Sequence, residues 1–180
     1  MSEKYKFKDK EGIYFITPTI TEWIDLFAKN EYCEIIVESL QYCQREKGLV
    51  LHALCIMTSH LHLIVSSENE LSAIVRDFKK FTSHKLLQQL KGGNDSRREW
   101  ILNLFGNAAD RVKRNWNYKV WQDGNHPVLL STNKMFDDRL NYLHENPVKA
   151  GHHKKAEDYV YSSAGDYAGV KGVLDVVLIE

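Results

Sequence analysis

Two histidines, His60 and His62, sit two residues apart in the run Leu-Cys-Ile-Met-Thr-Ser-His-Leu-His-Leu-Ile-Val that spans residues 54–65. In a β-strand, side chains alternate between faces. His60, His62 and Ile64 then share one face, and Leu61, Leu63 and Val65 the other. The second face is uniformly apolar and reads as core. The first presents two imidazoles about 7 Å apart along the strand, close enough to grip one cation. The same spacing also suits two histidines on a solvated or internally satisfied strand face, so spacing by itself leaves both readings open.

A second set of chemical groups lies on the helical stretch before Pro147. Phe136, Leu140 and Leu143 fall within about 60° of one another on a wheel of ~100° per residue and form a buried stripe. Arg139, Tyr142 and Asn146 cluster on a neighbouring flank, with Tyr142 and Asn146 one turn apart. A tyrosine beside an asparagine near a helix end needs no function, and Asn146 is equally suited to capping that end.

Composition bounds the possibilities. The 180 residues suffice for one domain with a real core, and 43% hydrophobic with 27% charged residues is a globular balance. No apolar run approaches the ~20 residues that span a membrane, and the charged N-terminus is not of signal-peptide type. Cys33, Cys43 and Cys55 lack zinc-type spacing and read as free thiols in a reducing, cytoplasmic setting. The formal net charge is zero, but it is unevenly spread: residues 76–119 hold 11 Lys plus Arg against 4 Asp plus Glu. Such a basic band fits a phosphate backbone, and it also fits a solvated helical face.

The elements needed to position these groups follow in order. Residues 13–20, β-branched and broken at Pro18, read as a first strand. Helical periodicity runs from about 22 to 46 with a break near Asn30, and Gly48 stops it. Strands follow at 49–57 and 60–66, with only Thr58-Ser59 between them, the length of a tight hairpin; since the primed turns favour Gly or Asn, a larger or bulged turn is the alternative. A second helix spans 70–90, and Ser96 is expected to cap a third over 97–107. Residues 118–122 and 128–130 read as short extended segments, with Gly124–Pro127 as a turn between them. A helix starts at Ser131-Thr132-Asn133 and is stopped by Pro147. The apolar tail 173–179 is expected to add an edge strand or to pair with a second subunit, making a homodimer possible. This order predicts a single α+β domain over 1–180: a ferredoxin-like antiparallel sheet, helices packed on one face, and an additional C-terminal helix.

His60-Leu-His62, the basic helix, Trp121-Gln122, Tyr142-Leu-His-Glu-Asn146-Pro-Val-Lys-Ala-Gly151 and Tyr161-Ser-Ser-Ala-Gly-Asp-Tyr167 together resemble the HUH-type single-tyrosine transposases, most of all the REP-associated branch. The matching features span about residues 12–168. The resemblance implies a metal site at His60 and His62 completed by Asn146, with Tyr142 as nucleophile. It also implies cutting and rejoining of single-stranded, hairpin-bearing DNA through a 5′-phosphotyrosine. A free tyrosine hydroxyl, with a pKa near 10, is a poor nucleophile at neutral pH, and a divalent cation polarising the phosphate compensates. Imidazole and amide ligands admit Mg²⁺ or Mn²⁺. Strand transfer through a phosphotyrosine conserves bond energy, and no nucleotide-binding glycine loop is present. Arg76, Lys79, Lys80, Lys85, Arg114 and Lys149 are the expected phosphate contacts, and Trp121, with Trp116 and Tyr118, the expected base-stacking rings. Trp121 is equally suited to the core. The rival readings are a non-catalytic single-stranded nucleic-acid-binding module of the same fold and a metal-dependent phosphoesterase. Two features depart from the family: overall neutrality, and a long 92–117 stretch that reads as a DNA-reading insertion or a lid.

Overall fold

The computed structural model describes residues 7–112 and 117–179. Strands β1 (Tyr14–Ile16), β2 (Leu49–Ile56), β3 (Leu61–Ser67) and β4 (Val128–Leu129) form an antiparallel sheet in the order β2-β3-β1-β4. Helix α1 (Asn30–Lys47) links β1 to β2, and α2 (Leu71–Gly92) and α3 (Arg98–Arg111) lie between β3 and β4. Helix α4 (Asn133–Lys149) follows β4, and the short α5 (Ala164–Tyr167) lies near the C-terminus. This is the expected ferredoxin-like arrangement.

The two faces of β3 behave as the period-two pattern requires. Leu61, Leu63 and Val65 join a large core with Ile36 and Leu40 of α1, Phe78 and Leu86 of α2, and Phe105 of α3. Ile64 faces the opposite way, into a smaller core with Phe15, Cys55, Phe136 and Leu143. Helix α4 thus covers the face that α1 and α2 leave open. In β2 the register shifts between Leu51 and Ala53. This bulge at His52 moves Ala53 and Cys55 to the α4 face while Leu49 and Leu51 remain in the large core.

Several local expectations are revised. The helical stretch from residue 22 resolves into short 3₁₀ turns at Thr21–Trp23 and Leu26–Ala28 before α1. Gly48 ends α1 at φ 71°, where a Cβ would also lie 2.8 Å from the Asn69 amide nitrogen. The β2–β3 connection spans Met57–His60, closed by Met57 N–H to the His60 carbonyl at 2.8 Å. Thr and Ser disfavour the positive φ of a two-residue hairpin turn. Asp95, not Ser96, organises the start of α3: its carboxylate accepts from Arg97 N–H and its carbonyl from Arg98 N–H, each at 3.0 Å. The Arg97 guanidinium holds the Asp95 carboxyl well below the usual carboxylate range. Ile101, Phe105 and Ala109 of α3 are buried, so this part of the 92–117 stretch belongs to the core.

Pro147 does not stop α4. Thr132 caps its start, accepting from Met135 N–H. The helix then runs through the buried Pro147 to Lys149. Gly151, at φ 75°, donates to Val148 and His152 to Pro147. These two bonds form a Schellman closure, so the left-handed glycine ends the helix instead of the proline.

The Tyr161-Ser-Ser segment docks on the free edge of β2 through Ile56 N–H to Tyr161 and Ser163 N–H to Leu54, both at 2.9 Å. The 173–179 tail is not a strand. It makes one ladder bond, Val177 N–H to Leu51, while Gln41 and Gln44 of α1 hold the Val173 and Asp175 carbonyls. Side-chain amides have taken carbonyls that a ladder would otherwise use. All three cysteines are free and buried. Among the described residues no helix is long and apolar enough to cross a membrane.

Candidate active site

His60 lies just before β3, bridged to Thr19, and His62 lies within β3, opposite Cys55. Their Nε2 atoms approach to 3.1 Å. Two ligands on one cation at ~2.1 Å stand ~3.0 Å apart at a right angle and ~3.4 Å apart at a tetrahedral one. The observed spacing therefore fits a shared ion. The remaining ring nitrogens have their own partners: His60 Nδ1 pairs with Ser59 Oγ at 3.1 Å, and His62 Nδ1 with Thr17 Oγ1 at 3.3 Å. With each Nδ1–H donating to its hydroxyl, both Nε2 lone pairs face the same point. Burial lowers both histidine pKa values, that of His62 to about 3 with help from the nearby His60 and Arg139 charges. Neutral imidazoles are the ligand form.

Helix α4 brings Tyr142 to the same place. Its ring stands edge-to-face with His62 at 5.3 Å and with Phe15 at 6.2 Å, and Phe15 stacks on His62 at 5.4 Å. Buried Phe136 and Leu143 anchor the helix against the sheet. A polar tie adds to this: His144 Nε2 meets Ser163 Oγ at 2.9 Å. Tyr142 remains 42% exposed, so the site is open to solvent on its side.

Asn146 sits one turn beyond Tyr142, where its amide nitrogen donates to the Tyr142 carbonyl at 2.7 Å. A carbonyl only accepts, so the nitrogen end is fixed there and the oxygen is the end offered elsewhere. Among the described residues no cluster of three His, Cys, Asp or Glu suited to a metal occurs. The two imidazole nitrogens are the groups that the described residues bring to this point.

Three residues of this site, Thr17, Ser59 and Phe15, carried no signal in spacing. Thr17 and Ser59 orient the imidazoles, and Phe15 stacks on His62. The Arg139 guanidinium lies 5.2 Å from the Phe15 ring and 6.0 Å from the Tyr142 ring. Arg139 shares a flank with Tyr142 on the helical wheel, which was the available clue.

The expected DNA contacts divide. Trp121 is a core residue: it is 5% exposed, packs near Phe27 and Phe78, and donates its Nε1–H to Thr82 Oγ1 at 3.0 Å. Stacking on bases is closed to it. Lys79 is also used internally, its ammonium donating to the Gln122 and Gly124 carbonyls and to Asn125 Oδ1 at 2.8, 2.9 and 3.1 Å. A half-buried lysine with three protein acceptors is a brace, not a phosphate contact. Arg76 is exposed and pairs with Asp77; Lys80, Lys85 and Lys149 are exposed. Arg76 and Lys80 line a groove of about 760 Å³ between α2 and residues 117–125. Tyr118 is half-buried with the Lys91 ammonium 4.4 Å over its ring. Arg114 and Trp116 lie outside the described residues.

Comparisons with known proteins point one way. Residues 25–105 match the family model described as "Transposase IS200 like". A Haemophilus influenzae protein described as a candidate REP-associated tyrosine transposase is 24% identical over 157 residues, covering 86% of this chain and 80% of that one. The solved structure of a REP-associated tyrosine transposase bound to a REP hairpin superposes with a TM-score of 0.66 at 19% identity, over 100% of this chain and 96% of that one. The central region thus carries the IS200-like transposase pattern, and the chain as a whole is similar in sequence and in fold to the REP-associated tyrosine transposases.

Proposed function

We propose that the protein is a metal-dependent single-tyrosine transposase that cuts and rejoins single-stranded, hairpin-bearing DNA. One observation carries this reading: Tyr142, His60 and His62 of a single chain, brought together from α4 and the start of β3, form one partly open site. In the reaction, Tyr142 Oη attacks phosphorus, the P–O3′ bond breaks, and the 3′ oxygen leaves as a hydroxyl. The tyrosine proton is given up and one is taken by the leaving oxygen, so no net proton is consumed. The 5′ end stays on tyrosine until a 3′ hydroxyl reverses the step. His60 and His62, completed by the Asn146 amide oxygen, would hold Mg²⁺ or Mn²⁺, which supplies charge stabilisation at the phosphate oxygens. Arg139 adds a fixed positive charge on the same side as the nucleophile. The contact of Tyr142 with His62 of its own chain supports a tyrosine that acts within its own subunit, and dimer formation is compatible with that. The DNA partner suits the exposed Arg76, Lys80, Lys85 and Lys149. The REP hairpin bound in the similar solved structure suggests the same substrate class here.

The test is incubation of labelled single-stranded hairpin DNA with Mn²⁺ and protein, followed by a denaturing gel. Wild type should form a covalent adduct, and Tyr142→Phe should form none while binding DNA nearly as before. An undiminished adduct in the variant would move the nucleophile elsewhere. Binding without an adduct in wild type would favour the non-catalytic module.

A further inference from the structure

Between β1 and α1, a tight turn is anchored at both ends by fully buried side chains, Ile20 and Ile24, yet it holds the largest side chain in the segment out in solvent. Trp23 is 60% exposed. Its ring meets the candidate metal ligand His60 edge-to-face, with centroids 5.6 Å apart and planes at 75°. In that arrangement the imidazole covers at most one face of the indole. The turn itself is costly. Glu22 and Trp23 both take left-handed backbone, at φ 57° and 56°, a conformation in which Cβ crowds the backbone carbonyl. Thr21 is buried with a hydroxyl oxygen that lacks a partner among the described residues. Glu22 is held by an ion pair to Arg111 of α3 at 2.7 Å, and Trp23 N–H donates to Ile20. Strain, an orphaned hydroxyl and an exposed indole thus coincide within three residues, beside the candidate catalytic centre. Folding stability does not explain that coincidence, because burial would have been served by turning the ring inward.

We propose that Trp23 is a base-stacking platform, taking one unpaired nucleobase next to the scissile phosphate. The inference rests on the single-stranded DNA reading of the site. A nucleobase presents a flat π-face that an uncovered indole face complements, and it needs no further polar partner. The position beside His60 would place that base within a nucleotide or two of the reacting phosphate. Such a contact fixes the strand where the phosphate must be aligned, and it tolerates any base.

The experiment measures affinity and covalent-adduct formation for wild type, Trp23→Ala, Trp23→Phe and Trp23→Gly. A set of single-stranded substrates carries one abasic nucleotide at successive positions around the cleavage site. Wild type should lose about 5- to 150-fold in affinity when one flanking base is removed. Trp23→Ala should show that weakening on intact DNA and no further loss with the abasic substrate. Trp23→Phe should restore most of the affinity. At saturating DNA, Trp23→Ala should still form the Tyr142 adduct, which separates failure of this inference from failure of the transposase reading. Trp23→Gly should melt about 1–5 °C higher, by relieving the left-handed backbone, while binding DNA more weakly. Opposite signs of these two effects are what a packing residue would not produce. Wild-type affinity in Trp23→Ala, or equal abasic losses in both proteins at every position, would overturn the proposal. So would a lower melting temperature in Trp23→Gly with unchanged affinity.

Discussion

Replacing Lys79 by Met separates a brace from a phosphate contact within one basic helix. The substitution keeps most of the aliphatic stem and removes three hydrogen bonds, at 2.8, 2.9 and 3.1 Å, to the 122–125 segment. Bonds from a charged donor contribute ~1.5–3 kcal/mol each. The net loss is smaller than their sum, because burial disfavours the ammonium, lowering its pKa to about 8, and the released oxygens regain some water. We expect a destabilisation of roughly 2–4 kcal/mol, or about 4–16 °C in melting temperature for a domain of this size. The loss should reach the active site as well. The Asn125 carbonyl accepts from Thr17 N–H at 3.0 Å, and the Thr17 hydroxyl pairs with His62. Lys80→Ala is the contrast: an exposed neighbour whose removal should leave stability within ~0.5 kcal/mol. It should flatten the dependence of log affinity on log salt by ~0.7 on a single strand. Melting curves and salt-dependent binding isotherms on both variants decide the matter. A Lys79→Met protein that melts like wild type but has a flatter salt slope would refute the bracing argument.

Three further outcomes follow from the site and the sheet. Asn146→Ala should raise the Mn²⁺ concentration needed for half-maximal cleavage by about 10–100-fold, with excess metal partly restoring activity. A drop of ~1 kcal/mol in stability with an unshifted midpoint would make the residue a helix-end group only. Thr17→Val removes only the hydroxyl that orients His62 and should likewise weaken Mn²⁺ binding, read directly by calorimetry, with little change in DNA affinity. His52, whose pKa burial lowers, bonds to Ser66 and to the Val177 carbonyl. Its neutral form belongs to the fold, so its stabilisation is complete above the unfolded pKa of ~6.5 and is lost as pH falls below it. His52→Gln should therefore make melting temperature less steeply dependent on pH between 7 and 5, and an unchanged slope would contradict this.

The order of elements and the candidate catalytic groups were legible in the chain itself, because both are local. Strand alternation put His60 and His62 on the face opposite Leu61, Leu63 and Val65, and the helical repeat put Tyr142 and Asn146 one turn apart on the flank of Phe136 and Leu143. These periodicities depend only on backbone geometry. Where a local rule failed, either a competing local signal or a longer-range contact had overridden it. Pro147 stays within α4 because Gly151 can close the helix beyond it. The tail stays irregular because α1 glutamines capture its carbonyls.

What tertiary structure alone decided is which of several chemically similar residues are left exposed. Lys79 and Lys80 are adjacent and identical in type, yet only the fold puts Gln122, Gly124 and Asn125 around one of them. Trp121 was the expected stacking ring and Trp23 drew no such expectation, yet packing buries the first against Phe27 and Phe78 and a strained turn exposes the second. Thr17 and Phe15 acquire roles only because antiparallel pairing sets β1 beside β3. Composition and spacing specify which groups a chain can offer. Burial and three-dimensional proximity, set by contacts between residues far apart in sequence, determine which of them remain free to act.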